Sequence, residues 1–386
     1  MTAIRMYWPA INIVGPGAIA ELETEIRNLG WKKPMLVTDK PLVKLGIAAK
    51  VEAVLAKAGC TPVVYDEPVP NPTMKNIMDG VALFKASGCD SIVSLGGGSP
   101  QDAAKGIAII MTNGGVPSDY EGINKSKKPG LPIVAINTTA GTASEVTKNY
   151  VVTDELRKIK MVMVDPHCTP IISVNDPELM LGLPAALTAA TGMDALTHAI
   201  ESYVSVGAFG LSKTLSLESI RLIAQSLVEV VQDGKNLQAR DQMAWASYLA
   251  GLAFNNAGLG IVHSLAHQLG SEYDLPHGVA NAILMPYVEA FNAETCPERF
   301  VEIAKALGKN VDGLTDKQAA KVAVYAMFEL ARKVGIMDLK DTKFRPEDAP
   351  RLAEQAMRDV CTGGNPRPVT VKELENLYLK AYRREV

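Results

Sequence analysis

Between Asn12 and Thr138 the chain alternates short β-branched runs with amphipathic stretches: NIVG, then PMLVTDK (34–40), TPVVYDE (61–67), DSIVSLGGG (90–98) and LPIVAINT (131–138). Strands separated by helix-length segments pair through crossovers, so this pattern predicts a mostly parallel sheet covered by helices on both faces. Two later runs, KMVMVD (160–165) and PIISVND (170–176), predict a hairpin or an addition at the sheet edge. From about Leu187 onward the sequence is rich in Ala and Leu with a period near 3.6, broken by turns such as PHG, KNVDG and GGNPRP. Strand signals stop there. The expected organisation is an α/β domain over residues 1–180 and an all-helical domain over residues 181–386, and a length of 386 residues also exceeds what one core usually organises.

Charge and cysteine usage narrow the class of function. Lys+Arg 39 against Asp+Glu 42, with no basic block, argues against a nucleic-acid partner. Five cysteines (Cys60, Cys89, Cys168, Cys296 and Cys361) include no CxxC pair, which argues against both a disulfide framework and a thiolate zinc site and suits a reducing cytoplasm. The start MTAIRMYWPA has none of the segments of an export signal. Between Asp241 and Glu272 there is no charged residue, a stretch long enough to span a bilayer. Its asparagines, histidines and glycines, and the lack of a second such stretch, favour helices buried in a protein core.

The string SLGGGSPQDAAKGIAII (94–110) reads as a buried strand ending in three glycines, with Ser99 as N-cap and Pro100 at the first helical position. A glycine turn entering a helix lets a phosphate approach backbone N–H groups at the positive end of the helix dipole. NTTAGTASE (137–145) follows the next strand and is expected at the same sheet edge, where open α/β sheets bind ligands. Asp39 ends an earlier strand. It suits a ribose hydroxyl, and hence NAD over NADP, or equally a turn before Pro41. It precedes the glycine loop rather than following it, unlike the GxGxxG fingerprint.

Three of the five histidines fall in HSLAHQLGSEYDLPHG (263–278). In LTAATGMDALTHAIESY, Asp194 and His198 stand four residues apart on an expected helix, and His263 and His267 repeat that spacing on another. His277 is expected in a loop fixed by its neighbouring Pro and Gly. One Asp with up to three His from two helices and a loop is a donor set for a divalent ion such as Fe2+, Zn2+, Mn2+, Co2+ or Ni2+. HExxH is absent, so zinc-protease hydrolysis ranks low. A Lewis acid beside a dinucleotide suits hydride removal from an alcohol.

These motifs, with TTAGTASEVTKNYVVTD, AFNNAGLGIVHSLAHQLGSEYDLPHGVANAILMP and GGNPR, resemble the iron-containing (group III) alcohol dehydrogenases over nearly the whole length. The resemblance is strongest to the branch of propanediol oxidoreductases, 1,3-propanediol dehydrogenases and NAD-dependent methanol dehydrogenases. It implies a dehydroquinate synthase-like fold, with a nucleotide-binding α/β domain and a metal-binding helical domain. Carried over by motif, the metal ligands are Asp194, His198, His263 and His277, while His267 relays the alcohol proton. The resemblance places pyrophosphate on Gly97, Gly98 and Ser99, with Asp102 nearby. Thr138, Thr139 and Thr142 line the cofactor path, Asn71 and Lys160 reach ribose or phosphate, and Asp39 reads the adenosine ribose. Asn149, Phe254 and Cys361 line the substrate pocket, with Phe254 favouring small alcohols. Glu272 stands where many relatives have a neutral residue.

The expected activity is reversible hydride transfer between a small primary alcohol (methanol, ethanol, butanol or a propanediol) and NAD. One divalent ion, Fe2+ by preference, is expected in a cytoplasmic homo-oligomer. The competing readings are a dehydroquinate synthase-type lyase, a glycerol dehydrogenase-like polyol enzyme and a metal-storage protein. The absence of a Lys/Arg cluster for a phosphorylated, carboxylated substrate counts against the lyase.

Overall fold

A computed structural model describes residues 3–157 and 159–385. The chain divides into two compact units, Met1–Leu181 and Gly182–Val386. The first contains nine strands among its described residues: β1 (Ile11–Val14), β2 (Pro34–Val37), β3 (Val63–Tyr65), β4 (Ser91–Gly96), β5 (Gly122–Ile123), β6 (Ile133–Asn137), β7 (Asn149–Asp154), β8 (Ile159–Val164) and β9 (Ile172–Asn175). Six of them form one sheet in the order β1-β9-β6-β4-β2-β3, with every neighbouring pair parallel. Alternate residues feed opposite cores. Met35, Val37, Ile92 and Ile133 pack on one face, and Leu36, Val93, Val134 and Val174 on the other. Burial on both faces is why these strands read as mostly apolar runs, with only small polar residues such as Ser91 and Ser94 among them.

The sequence misplaced three features of this unit. PIISVND supplies β9, an interior strand between β1 and β6, not an edge addition. KMVMVD supplies most of β8, whose antiparallel partner is NYVVTD (β7), an unanticipated strand; with β5 they form a separate three-stranded sheet. The helix after the glycines is Gly98–Asn113 with Gly97 as its N-cap, so it starts two residues earlier than the Ser99 cap implied. Pro100 is tolerated because the first four N–H groups of a helix have no intrahelical acceptor.

The second unit is helical, with no strand among its described residues. The helix Ala185–Val204 is buried on nearly its whole circumference from Thr188 onward, as expected for an all-round apolar core helix. The charge-free stretch lies within two helices, Leu237–Ala257 and Ile261–Tyr273, and the turn between them, and the helices meet at 104°. Gly258, at φ 80°, ends the first. No single helix among the described residues is long and apolar enough to cross a membrane. His277 is not in a loop: it is the first residue of the helix His277–Ala293, with Pro276 as its N-cap.

Candidate functional site

Two loops lie side by side at the carboxyl ends of β4 and β6. A Cβ on Gly97 would fall 2.9 Å from Thr139 Cγ2, and one on Gly98 3.2 Å from Thr142 Cγ2. Glycine therefore lets the start of the helix Gly98–Asn113 approach the threonine loop and keeps its first-turn N–H groups clear of side chains, the arrangement an anionic ligand requires. Thr138 joins the same edge through its N–H, which donates to the Gly96 carbonyl at 3.2 Å. Asn71 reaches this edge from after β3. Its N–H donates to Ser99 Oγ (3.2 Å), and its Oδ1 accepts from Lys160 Nζ (2.8 Å). Ser99, Asn71 and Lys160 thus meet although they are far apart in sequence.

Asp39 caps a short helix, accepting from the Leu42 N–H at 2.9 Å, and burial raises its pKa above the usual carboxylate value. Asp102 uses both oxygens within the unit, accepting from Ser144 Oγ (2.9 Å) and the Val151 N–H (3.1 Å). Burial pushes it up to about 6 despite the nearby Lys105. Lys105 is itself buried, donating to Ser144 Oγ, Thr147 Oγ1 and the Asn149 carbonyl at 3.0, 2.9 and 2.7 Å. Together these two side chains tie the loop after β6 to the helix below it. The Asn149 side-chain carbonyl is buried without a hydrogen-bond partner among the described residues.

In the second unit, Asp194, His198, His263 and His277 bring one donor atom each to within 4.8 Å of one another. Asp194 Oδ1 lies 3.6 Å from His277 Nε2 and 4.0 Å from His263 Nε2, and its Oδ2 lies 4.0 Å from His198 Nδ1. Donors about 2.0–2.2 Å from a shared ion span such separations. Two further observations fit a cation. His198 Nδ1 is buried with no hydrogen-bond partner among the described residues. The Asn281 side-chain NH2 donates to Asp194 Oδ1 at 2.7 Å and lies 3.1 and 3.2 Å from His277 Nε2 and His263 Nε2, so three lone pairs converge on one electropositive group. Burial, reinforced by the neighbouring His198 ring, holds His263 well below the ordinary imidazole value.

His267 occupies the same helix face one turn on but has a different partner. Its Nδ1 lies 2.8 Å from Asp359 Oδ2, while its ring stacks on His277 with centroids 5.3 Å apart. Desolvation opposes ionisation of Asp359, but His267 and the Cys361 N–H outweigh it and leave Asp359 below the usual carboxylate value. A carboxylate only accepts, so the Nδ1 of His267 carries the proton in this pair. Cys361 lies beside them, its thiol raised well above its ordinary value by desolvation. Phe254 stacks on His198 at 4.3 Å and walls the four-residue cluster. Glu272 is exposed and paired with Arg351 at 3.0 Å, a surface contact.

Sequence reasoning missed Glu201, Asn281 and Asp359. Glu201 had a legible signal, since 194, 198 and 201 follow the i, i+4, i+7 pattern of one helix face. Its Oε2 lies 2.5 Å from His263 Nδ1, and burial pushes its carboxyl up to about 7.

The family model described as iron-containing alcohol dehydrogenase matches residues 9–177, and that of the Fe-containing alcohol dehydrogenase family, C-terminal, matches residues 188–382. The chain belongs to the iron-containing alcohol dehydrogenases. This alcohol dehydrogenase is 47% identical over 377 residues to 1,3-propanediol dehydrogenase of Citrobacter freundii, covering 97% of each chain. It is 42% identical over 378 residues to NAD-dependent methanol dehydrogenase of Bacillus methanolicus, covering 98% of this chain and 99% of that one. Among solved structures it resembles 1,3-propanediol oxidoreductase, with a TM-score of 0.97, 46% identity, and coverage of 98% of this chain and 100% of the other. The parallel-sheet unit followed by a helical unit is the fold anticipated from the dehydroquinate synthase-like resemblance.

Proposed function

We propose that this alcohol dehydrogenase moves a hydride reversibly between the carbinol carbon of a small primary alcohol and NAD, with one divalent cation held by Asp194, His198, His263 and His277. The convergence of these donors on the Asn281 amide, with His267 engaged separately by Asp359, carries the reading. When bound there, a divalent cation supplies a Lewis acid that lowers the pKa of the alcohol hydroxyl. His267, anchored through Nδ1, offers Nε2 to take that proton and hand it outward. Four protein donors exceed the three usual in catalytic zinc sites, which favours Fe2+; Zn2+, Mn2+ and Ni2+ suit the same donors.

For the cofactor, Gly97, Gly98 and Ser99 receive the pyrophosphate. Thr138, Thr139 and Thr142 line its path, and the Asn71–Lys160 pair reaches ribose or phosphate oxygens. Asp102 acts by holding the threonine loop in place, and Asp39 reads the adenosine ribose. Asp39→Gly is expected to improve NADP+ use relative to NAD+ by about tenfold or more, since it removes a like charge facing the 2′-phosphate. Unchanged kcat/KM ratios for the two cofactors would exclude that role.

Phe254 and Cys361, both in the second unit, are assigned to the substrate pocket. Phe254→Ala opens space beside His198 and is expected to shift the kcat/KM ratio toward butanol over methanol by about tenfold, at the scale of one or two methylenes. A ratio that stays fixed in the folded, cation-loaded variant contradicts the wall assignment. A panel of primary alcohols, run with Fe2+, Zn2+, Mn2+ and Ni2+ in turn, tests the substrate and ion preferences together.

A cytoplasmic homo-oligomer completes the proposal. All five cysteines are free thiols, as a reducing compartment favours. Exposed Ile4, Met6 and Trp8 lead into β1, the end strand of the sheet among the described residues, a surface that suits a second copy of the chain.

A further inference from the structure

Gly260 sits where the helices Leu237–Ala257 and Ile261–Tyr273 meet, in a position with no room for a side chain. A Cβ there would lie 2.9 Å from Glu201 Oε1 and 2.9 Å from Asn365 Oδ1. Both side chains close on the start of the second helix. Glu201 Oε1 accepts from the Val262 N–H at 2.7 Å, and its Oε2 meets His263 Nδ1 at 2.5 Å. Asn365, from GGNPR, accepts from the Ile261 N–H at 3.4 Å and exchanges amide hydrogen bonds with Asn292 at 2.8 and 3.1 Å. The N–H groups of Ile261 and Val262 have no acceptor inside their helix, and a carboxylate is favoured at that end of the dipole.

We propose that Glu201 is the positioning residue of the cation site: it fixes His263 as the Nδ1–H tautomer with Nε2 turned toward Asp194, and so sets how tightly a divalent cation is held. This rests on the reading of the Asp194 cluster as a cation site. A neutral imidazole has one N–H and one lone pair; the Asn281 NH2 faces Nε2 at 3.2 Å and only donates, so the lone pair lies on Nε2 and the proton on Nδ1, where Glu201 Oε2 accepts it. Glu201 and His263 are both almost completely buried, so neither has water as a substitute partner. The Val262 N–H fixes Oε1 and leaves Oε2 committed to the ring. Asp194 and His198 lie on the Glu201 helix, and His263 opens the other, so this carboxylate also sets the two ligand-bearing helices in register.

The test uses the full chain, stripped by a chelator and reloaded with Co2+ as a visible probe. Wild type is expected to bind one Co2+ per chain, and Glu201→Gln to release it to a competing chelator about 10–100-fold faster. Its ligand-field spectrum should also change, while the circular dichroism of the stripped form stays as in wild type. A folded Glu201→Gln that holds Co2+ as tightly as wild type, with the same spectrum, overturns the inference. Should that variant not fold, isotope-labelled histidine in Zn2+-loaded wild type decides by NMR: a slowly exchanging Nδ1–H on His263 supports the assignment, and coordination through Nδ1 overturns it. Failure of the parent reading looks different, because wild type itself would then bind no stoichiometric Co2+.

Discussion

His263→Ala is expected to lose both stoichiometric cation and activity, with turnover down on the order of a thousandfold or more, because the Lewis acid goes with the ligand. His267→Ala, one turn along the same helix, is expected to keep the cation and lose about 10²–10⁴-fold in kcat, the usual worth of a positioned proton acceptor. The contrast follows from partners and not from spacing: Glu201 and Asn281 frame His263 beside Asp194, whereas Asp359 holds His267 by Nδ1. Metal analysis of the purified variants beside steady-state kinetics reads both effects. Equal cation loss in the two variants overturns the division of roles.

Gly97→Val should have a comparable effect in the other unit. Its added side chain meets Thr139, whose Cγ2 already lies 2.9 Å from where a Cβ would begin, so the threonine loop must move or the helix start must shift. Either change spoils an anion cradle whose donors are backbone N–H groups. NADH affinity, followed by its fluorescence on titration, is expected to fall about a hundredfold, the loss of roughly two charge-assisted hydrogen bonds. Cation content serves as the internal control, since all four donors belong to Gly182–Val386. Unchanged NADH binding in a folded variant removes the pyrophosphate from this turn.

Much of the architecture was legible because the central strands are buried on both faces, which writes them as mostly apolar runs such as SIVSLG and IVAIN. The same property hid the position of β9, because an apolar run announces a buried strand without saying which neighbours it takes. NYVVTD escaped notice because its residues do not alternate apolar and polar, although their burial does, and it follows directly on a polar loop. His277 was read as a loop residue on the strength of Pro276 and Gly278, yet a proline just before a helix is compatible with its start, and the ring joins the cluster from the first turn. Asp194, His198 and Glu201 share a helical period, so this part of the site was available from sequence. Asp359 was not: it lies 92 residues from His267, and only tertiary packing joins them. Spacing alone grouped His263 with His267, and the separate carboxylates that engage them are what distinguish the two rings.

The most direct test of the account is NADH formation from NAD+ and a primary alcohol by one protein preparation, assayed stripped of metal and again after loading with one equivalent of Fe2+. The account predicts negligible turnover when stripped, recovery on loading, and no recovery in His263→Ala under the same conditions. Equal turnover by the stripped and loaded protein, or full recovery in His263→Ala, would contradict a catalytic cation held by Asp194, His198, His263 and His277.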